Sequence, residues 1–186
     1  MENKKIDWED KPEVKKGAIG ERIVNEILSN FGYIVYRPIS DGAHKIDFFA
    51  HKESAEKKII CIEAKAKKRM AKYYETGFNY NAYLHYKEIQ EKHHIDTFVY
   101  FIDDFEECIY GQWLNNLGEG RTIPGKTGIV IVWDLCKMQL FRKLTNEELI
   151  ELSQYTKNGS YDYSTVEKYF DDDCYDEKGN YKNLNK

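Results

Sequence analysis

The chain has 186 residues, a length that suits one domain with a sizeable core and a small appendage. Its formal net charge is -4, so it lacks the overall basic composition of a typical nucleic-acid-binding protein. The four cysteines, at positions 61, 108, 136 and 174, form no CxxC pair and no zinc spacing, and they fit a reducing compartment.

The two ends of the chain differ in composition from its middle. Residues 1–16 are charged and lack an apolar stretch, so they predict a polar arm and not a signal peptide. Residues 158–186 carry seven acidic residues against four lysines, which predicts a loosely docked or disordered tail and leaves the rest of the chain close to neutral. No apolar run reaches the length of a membrane span. We therefore expect a cytoplasmic protein without membrane contact, with one domain over residues 17–157.

Hydrophobic periodicity and turn residues predict the elements of that domain in chain order. They are a helix over 17–30 that stops before Gly32, strands over 33–36, 45–51 and 58–66, a helix over 79–93, strands over 97–102 and 108–113, a terminal pair of strands over 129–133 and 139–142, and a short helix capped by Thr145. The segments 70–77 and 118–128 are predicted to be loops. This order predicts an α/β (α+β) domain with a central mixed sheet flanked by helices.

The third predicted strand is the most informative part of the chain. It is an apolar, partly β-branched run that ends in Glu63-Ala64-Lys65. Residues two apart in a strand point to the same face, so a carboxylate and an ammonium stand side by side. Asp47 lies in a short apolar run of the preceding strand, from which it can meet Glu63 across the sheet. Glu21 adds a third acid in the first turns of the first helix.

These residue types suit metal-dependent hydrolysis of a phosphodiester. Mg²⁺ prefers oxygen ligands and keeps several waters, so Asp47 and Glu63 suffice to hold it, and the backbone carbonyl of Ala64 adds a further ligand. Lys65 would face the same cavity, where it could orient or deprotonate the attacking water or neutralise the phosphate. A partly buried lysine beside a dication can have a lowered pKa. Glu21 would hold metal-bound water or a second ion.

The order of these residues resembles the PD-(D/E)XK nuclease superfamily, which includes restriction endonucleases and archaeal-type Holliday-junction resolvases. The resemblance covers residues 17–102. Asp47 matches the first motif acid, Glu63-Ala64-Lys65 matches the (D/E)XK tripeptide, and Glu21 matches the helix acid of resolvase-like members, whereas Ile46 replaces the motif proline. The resemblance implies a restriction endonuclease-like core of helix, three strands, helix and strand, dependence on Mg²⁺ (or Mn²⁺), and cleavage of DNA. It also points to a polar residue on the second helix, for which Gln90 is the candidate.

A basic cluster follows the tripeptide directly. Its members beyond Lys65 are Lys67, Lys68, Arg69 and Lys72. Taken alone, the cluster is explained by a solvated loop. Its position beside the carboxylates instead predicts contacts with DNA phosphates.

Each candidate residue also has an explanation that involves no catalysis. Glu63 and Lys65 could form an ordinary ion pair on an exposed edge strand. Asp47 could be a turn or salt-bridge residue, and Glu21 could serve only the helix dipole. His44, close to Asp47 in sequence, could touch substrate or be a surface histidine.

The leading hypothesis is a Mg²⁺-dependent DNA endonuclease. A Holliday-junction resolvase is a narrower form of it, in which a homodimer would be needed to cut two strands because the chain has no separate reader domain. The competing hypothesis is a non-catalytic DNA-binding or protein-interaction module that keeps the fold. The intact set of Asp47, Glu63 and Lys65 argues against the module, whereas the acidic tail and the modest basicity favour it.

Overall fold

A computed structural model of the chain describes residues 8–39, 46–56, 59–156, 162–177 and 182. The elements are α1 (Pro12–Asn30), β1 (Ile34–Tyr36), β2 (Phe48–His51), β3 (Ile59–Ala66), β4 (Glu75–Asn79), α2 (Tyr80–His93), β5 (Thr97–Asp103), β6 (Cys108–Trp113), α3 (Leu114–Leu117), β7 (Arg121–Gly125), β8 (Gly128–Asp134), β9 (Gln139–Lys143) and α4 (Asn146–Ser153). None of the helices in this described part combines the length and the apolar composition of a membrane span.

The main sheet has six strands in the order β1-β2-β3-β5-β6-β9. Its neighbours are antiparallel except β3 and β5, which run parallel. A parallel pair needs a crossover, and α2 lies within it. The prediction of an α/β domain with a central mixed sheet flanked by helices is confirmed. The order of helix, three strands, helix and strand holds for the main sheet, but β4 of a second sheet lies between β3 and α2. Because β3 lies between β2 and β5, it is an interior strand and not an edge.

The alternation of side chains along β3 separates two hydrophobic cores. Ile62 and Ala64 pack into the core that contains the buried residues of α1, whereas Cys61 packs into the core that contains Tyr86 of α2. Glu63 and Lys65 share the face of Cys61 because side chains alternate with a period of two. The candidate residues therefore lie on the α2 side of the sheet.

Helix α1 begins at Pro12, five residues before the predicted start. Proline suits the first turn of a helix, where its missing N–H has no intrahelical partner to lose. The helix crosses β3 very closely, since a Cβ built at Gly20 would lie 2.7 Å from the Cβ of Ala66. This crossing brings Glu21 to the carboxyl end of β3. Gly32, at a φ of +80°, ends the helix where the sequence predicted a stop.

A second sheet of three strands, in the order β4-β8-β7, was not predicted. Strand β4 begins inside the segment 70–77, and β7 lies in the segment 118–128, both of which the sequence predicted as loops. The predicted pairing of the last two strands is also wrong, because β8 pairs with β4 and β7 while β9 pairs with β6. Tertiary packing decides this arrangement, since Ile131 and Trp133 of β8 pack against Phe78 in the α2-side core.

The described part of the acidic tail, residues 162–177, packs on the body of the protein. Tyr175 is only 5% exposed, and the ring of Phe170 lies 5.5 Å from that of Tyr110. The carboxylate of Glu106 accepts a hydrogen bond from the backbone N–H of Phe170 at 3.0 Å. For these residues the expectation of a loosely docked or disordered tail needs correction, because the aromatic residues supply apolar area that the acidic composition conceals.

Candidate active site

The register of β2 and β3 brings Asp47 opposite Glu63. Phe48 pairs with Ile62, and in an antiparallel ladder the next pair outward is Asp47 with Glu63. The Oδ2 of Asp47 accepts a hydrogen bond from the backbone N–H of Ala64 at 2.8 Å. The N–H of Ala64 would otherwise form the next main-chain hydrogen bond of the β2–β3 ladder. Its bond to the side chain of Asp47 replaces that bond and fixes the carboxylate against β3.

Glu63 is buried, with only 3% of the residue exposed. One carboxylate oxygen, Oε1, forms an ion pair with the Nζ of Lys65. The other oxygen, Oε2, accepts a hydrogen bond from the hydroxyl of Tyr86 on α2. The alternative that Glu63 and Lys65 form an ordinary ion pair on an exposed edge strand is therefore wrong, because Glu63 is buried and β3 is an interior strand.

The electrostatics of the site favour an added cation. Burial raises the pKa of Glu63 to about 7, and the negative charge of Asp47 acts in the same direction, while the charge of Lys65 and its hydrogen bond, together with that from Tyr86, oppose the rise. Burial and the nearby charge of Asp47 thus disfavour the ionised form of the Glu63 carboxylate. A divalent cation beside Asp47 and Glu63 would favour it.

Lys65 is held in its charged form. Burial acts to lower its pKa, but the carboxylates of Glu63, Asp47 and Glu21 outweigh burial, and the pKa is raised above its ordinary value. A dication beside Lys65 would lower its pKa. Without one, the three acids surround the ammonium and keep it protonated.

Glu21 reaches the site from α1 on the other side of the sheet. Its carboxylate forms an ion pair with Arg37 at 3.0 Å, and its charge acts on Lys65. Arg37 in turn lies over the ring of Phe48, with 5.2 Å between the guanidinium carbon and the ring centroid. The structure thus brings Glu21 near Lys65, where Arg37 helps to hold it.

Lys67 extends the row of Glu63 and Lys65 along β3. Its Nζ donates a hydrogen bond to the carbonyl of Gly77 on β4 at 2.7 Å. Burial and the neighbouring charge of Lys65 lower the pKa of Lys67 to about 8, against a weak opposing effect of Asp103. No acidic group in the described chain forms a salt bridge with Lys67, so an anion such as a phosphate would complement it.

Lys68 and Lys72 follow the site residues of β3 along the chain, and each lies over a tyrosine ring. The ammonium of Lys68 lies 4.8 Å from the ring centroid of Tyr163, and that of Lys72 lies 5.5 Å from the ring centroid of Tyr73. Lys72 is exposed and Lys68 is half-buried. Both remain accessible enough to meet a phosphate.

Arg69, which the sequence grouped with these lysines, lies in the interior with 1% of the residue exposed. Its Nε forms an ion pair with Glu106, its Nη1 donates to the carbonyl of Met70 at 2.9 Å, and its Nη2 donates to the carbonyl of Glu167. Its predicted role at a DNA interface is therefore corrected, because a guanidinium that is buried and engaged on every nitrogen cannot reach a phosphate. It instead ties the tail to the segment that follows β3.

Sequence reasoning missed one residue of this site. This residue is Tyr86 on α2, whose hydroxyl donates a hydrogen bond to Glu63. Helical periodicity marks Tyr86 as inward-facing, but only the tertiary structure reveals its partner. Gln90, the candidate suggested by the family resemblance, instead donates to Asp96. His44 lies outside the described residues.

The direction of the Ala64 carbonyl favours its predicted role as a ligand. Cys61 donates its N–H to the carbonyl of Asp96, directly before β5, at 2.8 Å, and Lys67 donates its N–H to that of Ile102 in β5 at 2.9 Å. The backbone N–H groups of the odd-numbered residues along β3 therefore point toward β5. Ala64 therefore points its N–H and its C=O the other way, toward Asp47. The carbonyl lies beyond the last β2 pair, on the side where the Asp47 carboxylate stands.

The donor set fits Mg²⁺ or Mn²⁺. Across the described ranges, no group of three or more His, Cys, Asp or Glu side chains is arranged to hold a metal ion. Mg²⁺ does not need such a group, because it is commonly bound by one or two carboxylates with water completing the shell. Asp47 and Glu63 each offer about four lone-pair sites. The contacts above occupy one site on Asp47 and two on Glu63, so both carboxylates keep lone pairs for a metal ion. With the Ala64 carbonyl, all the donors are oxygens, as these ions prefer.

Comparison with known proteins finds similarity among solved structures alone. No family model matches the chain, and no curated protein matches it. Among solved structures, the chain is similar to Hjc, a Holliday junction resolvase from the archaeal hyperthermophile Archaeoglobus fulgidus. The two share 14% identity over 62% of this chain and 87% of Hjc, with a TM-score of 0.42. A likeness at this level says nothing about activity. Any proposal about activity rests on the residues of the site.

Proposed function

We propose that the protein is a metal-dependent nuclease that hydrolyses phosphodiester bonds in DNA. The observation that carries this proposal is the arrangement of Asp47 and Glu63 on one face of adjoining strands, with Lys65 paired to Glu63. Placing an acid in the interior costs free energy unless it is compensated. A module that only binds would gain nothing from burying Glu63 beside a second acid, whereas a metal site needs both.

Asp47, Glu63 and the Ala64 carbonyl are the proposed ligands of Mg²⁺ or Mn²⁺. When bound, the ion would supply charge neutralisation at the phosphate and an activated water. The chain's own contribution is to fix the ligands, through the Ala64 N–H on Asp47 and through Lys65 and Tyr86 on Glu63. Such bonds to the ligands hold them in place for the ion.

Lys65 is the proposed catalytic cation. A protonated lysine has three donors and no acceptor, so it would orient a water or stabilise the charged phosphate. A dication bound beside Lys65 would lower its pKa, and in the neutral form the same amine would take a proton from the water. Glu21, on the far side of Lys65, is the proposed holder of an outer water or a second ion.

DNA is the proposed substrate because cations follow the acids along the chain. Lys67, Lys68 and Lys72 are the proposed phosphate contacts, and Arg69 is left out of this set because it is buried. Within this class, cleavage of four-way junctions by a homodimer is the narrower proposal. One domain with one set of site residues would cut two strands only when two copies act together.

Cleavage assays test the proposal directly. The full chain is incubated with plasmid, linear duplex, single strands and four-way junctions in Mg²⁺, in Mn²⁺ or in EDTA. We expect cleavage that needs the ion and disappears in Glu63→Gln, while the control Glu88→Gln, which alters an exposed acid paired with Lys92 on α2, keeps it. Cleavage that persists in EDTA, or no cleavage of any substrate with either ion, contradicts the proposal.

A further inference from the structure

Tyr86 occupies an unusual position for a core residue, because its ring is fully buried and its hydroxyl meets a charged group. The residue is 0% exposed and belongs to the α2-side core, which also contains Cys61 and Val99. A buried tyrosine hydroxyl normally needs a hydrogen-bond partner. Here the partner is the carboxylate oxygen Oε2 of Glu63.

The two oxygens of Glu63 are held from different parts of the fold. Lys65, on β3 itself, holds Oε1, and Tyr86, on α2, holds Oε2. Two donors that approach from separate elements restrict rotation of the carboxylate plane. With Lys65 alone, the carboxylate would keep one contact, and that contact comes from a long, flexible side chain.

We infer that Tyr86 is a positioning residue, whose hydroxyl holds the Glu63 carboxylate in the orientation that binds the divalent ion. The inference rests on the proposed function, because it assumes that Glu63 is a metal ligand. Groups that hydrogen-bond to metal ligands typically change metal affinity by about 10–100-fold when they are removed. Tyr86 itself touches neither the ion nor the substrate.

The hydroxyl can be separated from the packing of the ring. Tyr86→Phe keeps the aromatic ring and its apolar contacts and removes only the donor to Glu63. A matched control exists in Tyr110, which is also 0% exposed and donates to the carboxylate of Asp103 at 3.1 Å. Tyr110→Phe therefore removes the same kind of hydrogen bond away from the candidate metal ligands.

The test measures Mn²⁺ binding to the full chain by titration calorimetry, without DNA. We expect Tyr86→Phe to bind Mn²⁺ about 10–100-fold more weakly than wild type, and Tyr110→Phe to bind it with wild-type affinity. Thermal melting of both variants shows that the folded protein is being compared. In cleavage assays, excess Mn²⁺ should restore the rate of Tyr86→Phe, which a general loss of structure would not allow.

The outcomes separate this inference from the proposed function. If wild type binds Mn²⁺ and Tyr86→Phe binds it equally well, the inference is overturned while the proposed function stands. Equal weakening in Tyr86→Phe and Tyr110→Phe also overturns it, because the effect would then come from the core as a whole. If wild type binds no Mn²⁺, the proposed metal site fails, and the inference falls with it.

Discussion

Asp47 has two separable tasks, and substitution can distinguish them. Its Oδ2 holds the backbone N–H of Ala64 at 2.8 Å, and its negative charge lies beside Glu63. Asp47→Asn keeps an acceptor oxygen and removes the charge. Asp47→Ala removes both. The comparison of these two variants therefore isolates the hydrogen bond, while the comparison of Asp47→Asn with wild type isolates the charge.

The magnitudes follow from these contacts. In Asp47→Ala the N–H of Ala64 loses its partner, and a buried donor left unsatisfied costs about 1–3 kcal/mol. Both variants relieve the same repulsion between Asp47 and Glu63, so this relief cancels between them. We expect Asp47→Ala to be less stable than Asp47→Asn by about 1–3 kcal/mol. Both should lose electrostatic stabilisation of several kcal/mol in the reaction, which corresponds to about a thousandfold or more in rate.

Urea denaturation measures the stability difference, and plasmid cleavage together with calorimetric Mn²⁺ binding measures the loss of charge. Glu88→Gln serves again as the control for removing an acid elsewhere. Equal stability of the two Asp47 variants would show that the bond to Ala64 does not hold this part of the site. Normal cleavage by Asp47→Asn would remove Asp47 from the metal site.

Four further changes test the rest of the description. Lys65→Ala should abolish turnover while largely sparing DNA binding, measured by anisotropy in EDTA; cleavage at the normal rate would refute its role. Charge reversal at Lys67 and Lys68 should weaken DNA binding and flatten its dependence on salt, and unchanged affinity at every salt concentration would contradict this. Truncation after residue 156 removes the buried Tyr175 and the backbone N–H groups of Tyr169 and Phe170 that donate to buried Glu106, and it should cost about 3 kcal/mol or more in urea denaturation. A truncated chain as stable as the full one would show that the tail adds nothing. For Glu148, burial acts to raise the pKa, but the Arg142 guanidinium and the Thr145 N–H outweigh it and lower the pKa. The ion pair with Arg142 therefore stabilises the fold at pH values above the ordinary pKa of glutamate, and this contribution is lost as the pH falls through the lowered pKa of Glu148. The melting temperature of Glu148→Gln should be lower than that of wild type at neutral pH and equal to it in acid. A variant that matches wild type at neutral pH and melts lower only in acid would contradict this.

Local patterns in the sequence were enough to predict the helix and the strands that surround the site. Helical spacing of apolar residues located α1, with Gly32 at its end, and a run of β-branched residues located β3. Alternation along β3 predicted that Glu63 and Lys65 share one face, and the preceding strand carried Asp47 as a residue that could meet Glu63. These signals are short-range, because they depend on side-chain periods of 3.6 and 2 and on turn residues. The catalytic roles of the three residues stay predictions until the variants are measured.

Contacts between distant parts of the chain required the tertiary structure. Strands β4 and β7 have weak patterns of their own and form because β8 pairs with both. Arg69 is basic in sequence and yet buried, because Glu106 and the tail, 98 positions away at Glu167, surround its guanidinium. Tyr86 carries only the helical spacing of a packed residue, and its link to Glu63 spans 23 positions. A side chain's partner across the core depends on how the elements pack, and the spacing of residues along the chain does not contain that information.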